Sequence, residues 1–369
     1  MKLIPVSEPN ISDKELQYIT DAVKSSWISS NGKYLDAFEK KFAEYIGVKY
    51  AVAVSNGTVA LHLALLALGI GPGDEVIVPN LTYIATANAV KYVGASPAFA
   101  DSDINTWNIS IESIKRLITR RTKAIIPVHL YGNPCDMDGI LELANEQNLF
   151  VIEDAAEAIG SQYNGKYVGS FGHISTFSLY GNKTITTGEG GVVVTNDVEL
   201  YDKLKLLKGQ GMNPKKRYWF DVIGYNYRMT NMQAAIGCAQ LERVNELVDK
   251  KIKNAKIYNK YFSTCNDIIL PMDTTNSLNS YWMYTIVLKS YAQEERDYLM
   301  KRLLEKNIET RPVFYLTTEM PMYTKHRQDE CRNATLIANG GINLPSSTLL
   351  NVKEIDYICS NLINLLAKM

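Results

Sequence analysis

Cysteine is scarce in this 369-residue chain: Cys135, Cys238, Cys265, Cys331 and Cys359 are odd in number, far apart and without a CxxC pair. That usage argues against a disulfide framework or a zinc site and suits a reducing cytoplasm. Neither sign of charge is in excess, with Lys+Arg and Asp+Glu both 39, so no net field draws the chain to nucleic acid or to an acidic membrane. The opening residues, Met1-Lys-Leu-Ile-Pro-Val-Ser7, lack the apolar run and small-residue cleavage site of a signal peptide, and no later stretch has the length of a membrane span. Together these absences predict a soluble, cytoplasmic protein with no nucleic-acid or membrane partner. The four histidines, His62, His129, His173 and His326, show no metal-ligand spacing and no Ser/His/Asp pattern is legible, so no metal is expected. Gly69-Ile-Gly71-Pro-Gly73 follows a helical stretch and precedes a strand, the reverse of the order a dinucleotide site requires.

What is present is a large core-forming fraction, 46% hydrophobic with 21% charged residues, enough for a globular enzyme of two domains. The capping-box pattern Ser12-Asp-Lys-Glu15 opens an amphipathic helix carrying Leu16, Ile19 and Val23, and Leu35, Phe38, Phe42 and Tyr45 repeat the spacing up to Gly47. Apolar runs at Ala51–Val54, Glu75–Val78, Pro97–Ala100, Lys123–Val128 and Leu149–Ile152 then alternate with helical segments. Strands of that kind predict a mostly parallel sheet covered on both faces, with ligands gathered at the strands' carboxyl ends. Thr230-Asn-Met-Gln233 caps a further helix. After Pro271 the pattern changes to strand Tyr281–Leu288, helix Gln293–Leu304, strand Ile308–Tyr315 and helix Lys353–Leu366. The reading is a large α/β domain over 1–250 and a smaller α+β domain over 251–369.

Lys183 occupies the connection between two expected strands, His173–Tyr180 and Val192–Thr195, with the turn Gly188-Glu-Gly-Gly191 beside it. A lysine on a rigid, partly buried connector can be desolvated into an amine nucleophile or proton shuttle, although a solvated loop lysine is the plainer explanation. Asp154 ends a buried strand, where it could hold a proton on a cofactor's ring nitrogen or simply cap the next helix. Asn56, Gly57 and Thr58 form a strand-to-helix junction whose N–H groups could cradle a phosphate, or merely a capped helix. Tyr83 could stack on an aromatic cofactor or pack in the core.

In combination, Ser55-Asn-Gly-Thr58, Glu153-Asp154-Ala-Ala, Ser178 with Lys183 five residues on, Gly188-Glu-Gly-Gly191 and Gly224-Tyr-Asn-Tyr-Arg-Met229 resemble the DegT/DnrJ nucleotide-sugar aminotransferases in order and spacing. The resemblance implies an aspartate-aminotransferase-like fold (PLP fold type I), the cofactor pyridoxal 5'-phosphate (PLP), and a homodimer with active sites shared at the subunit interface. It makes Lys183 the Schiff-base lysine, Asp154 the partner of the pyridinium nitrogen, and Ser178, Gly57 and Thr58, beside Asn56, the phosphate ligands. Tyr83 falls at the position that stacks on the cofactor ring. Glu157 falls at a cofactor-side position that varies among polar residues. Asn226 and Arg228 lie in the segment that reaches to the neighbouring subunit's phosphate. Arg311, Phe314 and Tyr315 are candidates for contact with the sugar nucleotide, with an ion pair and core packing as the alternatives. The implied reaction moves an amino group from L-glutamate to a nucleotide-linked 4-keto-6-deoxyhexose used for surface polysaccharide of the O-antigen type. Ser178–Gly191, Pro127–Gly132 and Arg311–Tyr315 most resemble the branch acting on GDP-4-keto-6-deoxy-D-mannose. A UDP- or dTDP-linked sugar, another PLP enzyme, or a non-catalytic nucleotide-sugar sensor are the other readings.

Overall fold

The computed structural model describes residues 2–272, 274–289 and 291–369. Its large sheet has seven strands: β1 (Tyr50–Val54), β2 (Glu75–Pro79), β3 (Ser96–Ala100), β4 (Thr122–Ile125), β5 (Phe150–Asp154), β8 (Ile174–Ser178) and β9 (Gly191–Thr195). β6 (Gln162–Tyr163), β7 (Lys166–Tyr167) and β11 (Ser277–Leu278) form a small separate sheet. The order in the large sheet is β1-β9-β8-β5-β4-β2-β3, parallel except for β9, which runs antiparallel to both neighbours. β1, β5 and β8 therefore end on one edge.

The strands are apolar throughout because both faces are covered. Alternate residues divide between two cores: Ala51, Ala53, Ile77, Val151, Val192 and Val194 join Phe38 and Phe42 on one side. Val52, Val54, Val76, Val78, Ile152 and Val193 join Leu63 and Val90 on the other.

A second, antiparallel sheet has the order β10-β12-β14-β13, with β10 Ile268–Ile269, β12 Tyr284–Leu288, β13 Arg311–Pro312 and β14 Gly341–Leu344. Tyr258, Phe262, Leu299 and Ile358 pack against it. The helix Val244–Phe262 passes unbroken through residue 250, and Val244 and Leu247 pack in the large-sheet core while Tyr258 and Phe262 pack in the small one.

Three expectations are corrected. The extended stretch 308–315 is divided between two partners: Ile308 bridges Ile4, and only Arg311–Pro312 pairs with β14. β4 stops at Ile125, short of Pro127, which has no N–H to continue a ladder, and Val128 makes only a bridge to Asp154. The helix Asp13–Lys24 has its capping box, but Leu16 and Val23 face outward, 64% and 53% exposed. The buried face is Glu15 and Ala22 instead. Glu15 sets that phase, because its carboxylate accepts from the Ser12 N–H (2.7 Å) and from Gln240 Nε2 (2.6 Å).

The head of the chain is woven into the smaller sheet's surroundings. The Ile4 N–H donates to the Asn307 carbonyl (2.8 Å), the Glu309 N–H to the Ile4 carbonyl (3.0 Å), and the Ser346 N–H to the Val6 carbonyl (2.7 Å). Among the described residues no helix is long and apolar enough to cross a membrane, and no group of His, Cys, Asp and Glu could hold a metal ion.

Candidate active site

Register builds the site. Gly191, the first residue of β9, pairs with Val54 on one side and Ser178 on the other, so the ends of β1 and β8 lie together. A Cβ at Gly191 would come within 2.5 Å of the Asn56 carbonyl oxygen, so glycine is what allows the two ends to close up. The helix Gly57–Ala67 starts here, its N-cap Asn56 accepting from the Val59 N–H at 3.0 Å. The N–H groups of Gly57 and Thr58 open this helix and have no carbonyl four residues back to bond, so they face outward at its positive end. A Cβ at Gly57 would sit 2.9 Å from that of Ser178.

Asn56, Gly57, Thr58 and Ser178 line one cavity of about 580 Å³, with Tyr83, Asp154, Glu157, Lys183, Arg311 and Phe314 around it. Asp154 is buried at the end of β5, one carboxylate oxygen accepting from Thr86 Oγ1 (2.8 Å) and the other from the Ala156 N–H (3.2 Å). Its neighbour Glu153 points away from the cavity. There it accepts from the N–H groups of Gly169, Phe171 and Gly172, from Ser175 Oγ, and from His129 Nε2 at 3.1 Å. The His129 tautomer follows from its other nitrogen, which accepts the Cys135 N–H, leaving Nε2–H to donate. Glu153 thus pins the strand end on which Asp154 stands.

Lys183 lies on the β8–β9 connection as expected, its N–H bonded to the Tyr180 carbonyl (2.9 Å). Its ammonium sits 3.7 Å from the ring centre of Trp282, whose Nε1–H donates to the Asn182 carbonyl at 2.8 Å. That carbonyl also accepts from Ser7 Oγ (3.1 Å). The Trp282, Tyr131 and Phe314 rings stack in sequence along the wall, and Tyr83 meets Phe314 at 5.8 Å. Tyr131 holds a left-handed backbone, φ +55°, that turns its N–H onto Glu157 Oε2 (2.8 Å). Such a conformation costs energy in a non-glycine residue and is found where a site needs it.

Burial displaces the site's titrations. It lifts Glu157 from its ordinary 4.5 to about 7, against the pull of Lys183 and the Tyr131 N–H. It also raises Asp154, against its Thr86 bond, and it lowers Lys183, against the attraction of Glu157 and Asp154. Because the folded pKa of Glu157 exceeds its unfolded one, folding takes up a proton between these values. The stability this group contributes is full below about pH 4.5 and is lost as pH rises through about 7. Glu157→Gln is therefore expected to gain on the wild type as pH rises, in urea unfolding of cofactor-free protein. A stability difference that stayed constant from about pH 5 to about pH 8 would contradict this placement of the carboxyl.

Three expected site residues lie outside this cavity. Tyr315 follows Phe314 on an extended chain, so its ring turns to the opposite side and faces Arg296 (5.5 Å). Asn226 and Arg228 are exposed and bonded to each other at 3.2 Å, while the alternating Tyr225 and Tyr227 turn inward onto His62. Sequence reasoning gave no role to Thr86, Tyr131 or Trp282. No spacing relates them to Lys183 or Asp154, since each is brought in from a distant segment.

The cavity's chemistry suits a phosphorylated pyridine aldehyde: an amine for the aldehyde, a buried carboxylate for a ring nitrogen, and a helix N-terminus with a serine for the phosphate. Thr82 Oγ1 and Asn182 Oδ1, both on the cavity wall, are buried without a partner among the described residues and so available to a ligand.

Comparisons with known proteins agree. The family model described as the DegT/DnrJ/EryC1/StrS aminotransferase family matches residues 9–363. The chain is similar to a GDP-perosamine synthase of Escherichia coli O157:H7, 54% identical over 98% of each chain. It is similar as well to a GDP-perosamine synthase of Caulobacter vibrioides, 49% identical over 97% of each. Among solved structures, the PLP form of Spr1654 from Streptococcus pneumoniae superposes with a TM-score of 0.95 at 27% identity, covering 99% of each chain.

Proposed function

We propose, on the premise that this chain belongs to the DegT/DnrJ/EryC1/StrS aminotransferase family, that it transfers the amino group of L-glutamate to the 4-keto carbon of GDP-4-keto-6-deoxy-D-mannose, giving GDP-perosamine. The chain is a PLP-dependent sugar aminotransferase. The observation that carries the reading is the convergence of the Lys183 amine, the Asp154 carboxylate and the N-terminus of the Gly57 helix on one cavity.

PLP, when bound, supplies an aldehyde carbon that carries the amino group between substrates and a ring that accepts the electron pair released when a proton leaves carbon. The protein's own part is binding and proton handling. Gly57 and Thr58 N–H groups and Ser178 Oγ would hold the phosphate. Asp154 keeps a proton on the ring nitrogen through its charge, in a pocket where burial strengthens that interaction. Lys183 Nζ would be the amine that anchors the aldehyde, and as a free amine it takes the proton from the α-carbon of glutamate and later delivers one to the sugar carbon. The Trp282, Tyr131 and Phe314 wall keeps water from these transfers. Arg311, on the cavity rim, pairs with the diphosphate.

The working unit in this reading is a homodimer. Leu16, Val23, Trp27 and Ile223 are exposed apolar side chains in the single chain, and Asn226 and Arg228 point away from their own cavity, as residues serving a neighbouring copy would.

The test is a two-stage assay. PLP-loaded protein treated with L-glutamate and freed of it is offered GDP-, UDP- and dTDP-linked 4-keto-6-deoxyhexoses. Formation of a 4-amino sugar from the GDP substrate at a kcat/KM at least about tenfold above the others is expected, the discrimination that about 1.4 kcal/mol of nucleotide contact provides. Preference for a UDP- or dTDP-linked sugar would replace the nucleotide, and no response to glutamate would end the reading.

A further inference from the structure

Trp282 is held more firmly than a wall-filling residue requires. It is 5% exposed, its Nε1–H donates to the Asn182 carbonyl, and its ring stacks on Tyr131. Its backbone carbonyl accepts from Nζ of Lys251 at 3.0 Å, and the same nitrogen donates to the Ser346 carbonyl at 2.7 Å. Lys251 is itself buried, and among the described residues no carboxylate pairs with it. On the same helix Asn254 Nδ2 donates to the Ser347 carbonyl and Tyr258 OH to the Pro345 carbonyl, so one helix face grips residues 345–347 as well as Trp282. A buried lysine spent on two backbone carbonyls serves position rather than charge balance. What this anchoring presents to the cavity is an indole face, with the Lys183 ammonium 3.7 Å from its centre.

We propose that the indole face of Trp282 is the resting place of the Lys183 amine: it holds the side chain in one place and favours its protonated form whenever the amine is not covalently engaged. A lysine that both receives and returns a proton must be stable while charged, yet stay free to leave. A carboxylate bonded directly to it would hold the proton too tightly, whereas a ring face attracts the cation without taking the proton or giving up a hydrogen bond. The charged groups facing the amine are Glu157 and Asp154, both from the chain at the end of β5; Arg311 and Glu189 line the same cavity. None of these changes when the ring is replaced. Trp282 is thus a positioning residue that acts through Lys183.

The inference rests on the functional reading only in taking Lys183 as the amine that captures PLP. The experiment measures the pH dependence of that capture. PLP is added to cofactor-free protein, the adduct is trapped with borohydride, and label at Lys183 is counted by peptide mapping. Capture needs the neutral amine, so its rate rises with pH through a midpoint set by Lys183. Trp282→Leu is expected to move that midpoint down by about 0.4–1.5 pH units, because the charged form loses its ring. Trp282→Phe, which keeps a weaker face, is expected to fall between. Slower capture at an unmoved midpoint in both variants would overturn the proposal, leaving Trp282 as packing only. Should Trp282→Leu fail to fold, global replacement of the four tryptophans by fluorinated tryptophan preserves the shape while weakening the face. The midpoint should then drop stepwise with fluorine number, and a flat series overturns the idea. Absence of label at Lys183 in the wild type would instead sink the functional reading, so the two failures are distinguishable.

Discussion

Lys183→Ala should abolish amino transfer while leaving a folded protein. In the proposed mechanism the substitution removes the covalent anchor and, with it, the amine that carries the substrate proton. Loss of a positioned proton-transfer group costs up to about 10⁴-fold, and loss of the anchor adds to it. A fall of at least about 10⁴-fold in single-turnover conversion of glutamate is expected, about 5.5 kcal/mol of barrier. The fold should tolerate it, since Lys183 is half-buried, its burial disfavours its charge, and its structural tie is a backbone N–H bond to Tyr180 that alanine keeps. The checks are 2-oxoglutarate release in a single turnover and the loss of borohydride-fixed label at position 183. Steady-state activity within tenfold of the wild type would refute the assignment.

Asp154→Asn should nearly silence the enzyme without unfolding it. The amide has the carboxylate's shape: its Oδ1 can accept the Ala156 N–H while its Nδ2 donates to Thr86 Oγ1, whose hydroxyl turns to accept, so what disappears is the charge. Losing one preorganised electrostatic contact of this kind costs about 10²–10³ in kcat. The stability effect should have the opposite sign. Burial raises the Asp154 pKa, which means the folded protein bears the ionised carboxylate at a cost when no cofactor is present. Removing the charge should therefore hold or raise the melting temperature of cofactor-free protein at neutral pH. That is the pattern of a site built for reaction rather than for stability. A variant that lost activity and stability together would show Asp154 to be a structural cap instead.

How much of this was legible beforehand follows from where each residue sits. Asn56, Gly57, Thr58, Asp154, Ser178 and Lys183 all stand at or just beyond strand ends, and strand ends can be located from apolar runs, so their convergence on one sheet edge was readable. The sheet's covered faces were readable for the same reason. The register of Gly191 against both Val54 and Ser178 was not, because pairing between strands far apart in sequence leaves no local mark. Side-chain direction failed twice. Phe314 and Tyr315 read as a pair, yet an extended backbone sends successive residues to opposite sides. The helix after Ser12 read as amphipathic on Leu16, Ile19 and Val23, and it was Glu15, claimed by Gln240, that decided which face turned inward. Thr86 and Trp282 lie in no quoted motif, and Tyr131, inside the Pro127–Gly132 run, drew no role from it. Their contribution exists only once the helix after β2, the loop after β4 and the smaller sheet are folded against the cavity.

Seven residues at the head of the chain close the circuit. Ile4 and Val6 are fastened to the 307–309 and 346 segments, and Ser7 Oγ shares the Asn182 carbonyl with the Trp282 indole. That carbonyl belongs to the peptide immediately before Lys183. A nick or a bulky fusion at this extremity, remote by some 175 positions along the sequence, is thus in mechanical terms a disturbance of the amine proposed to do the chemistry.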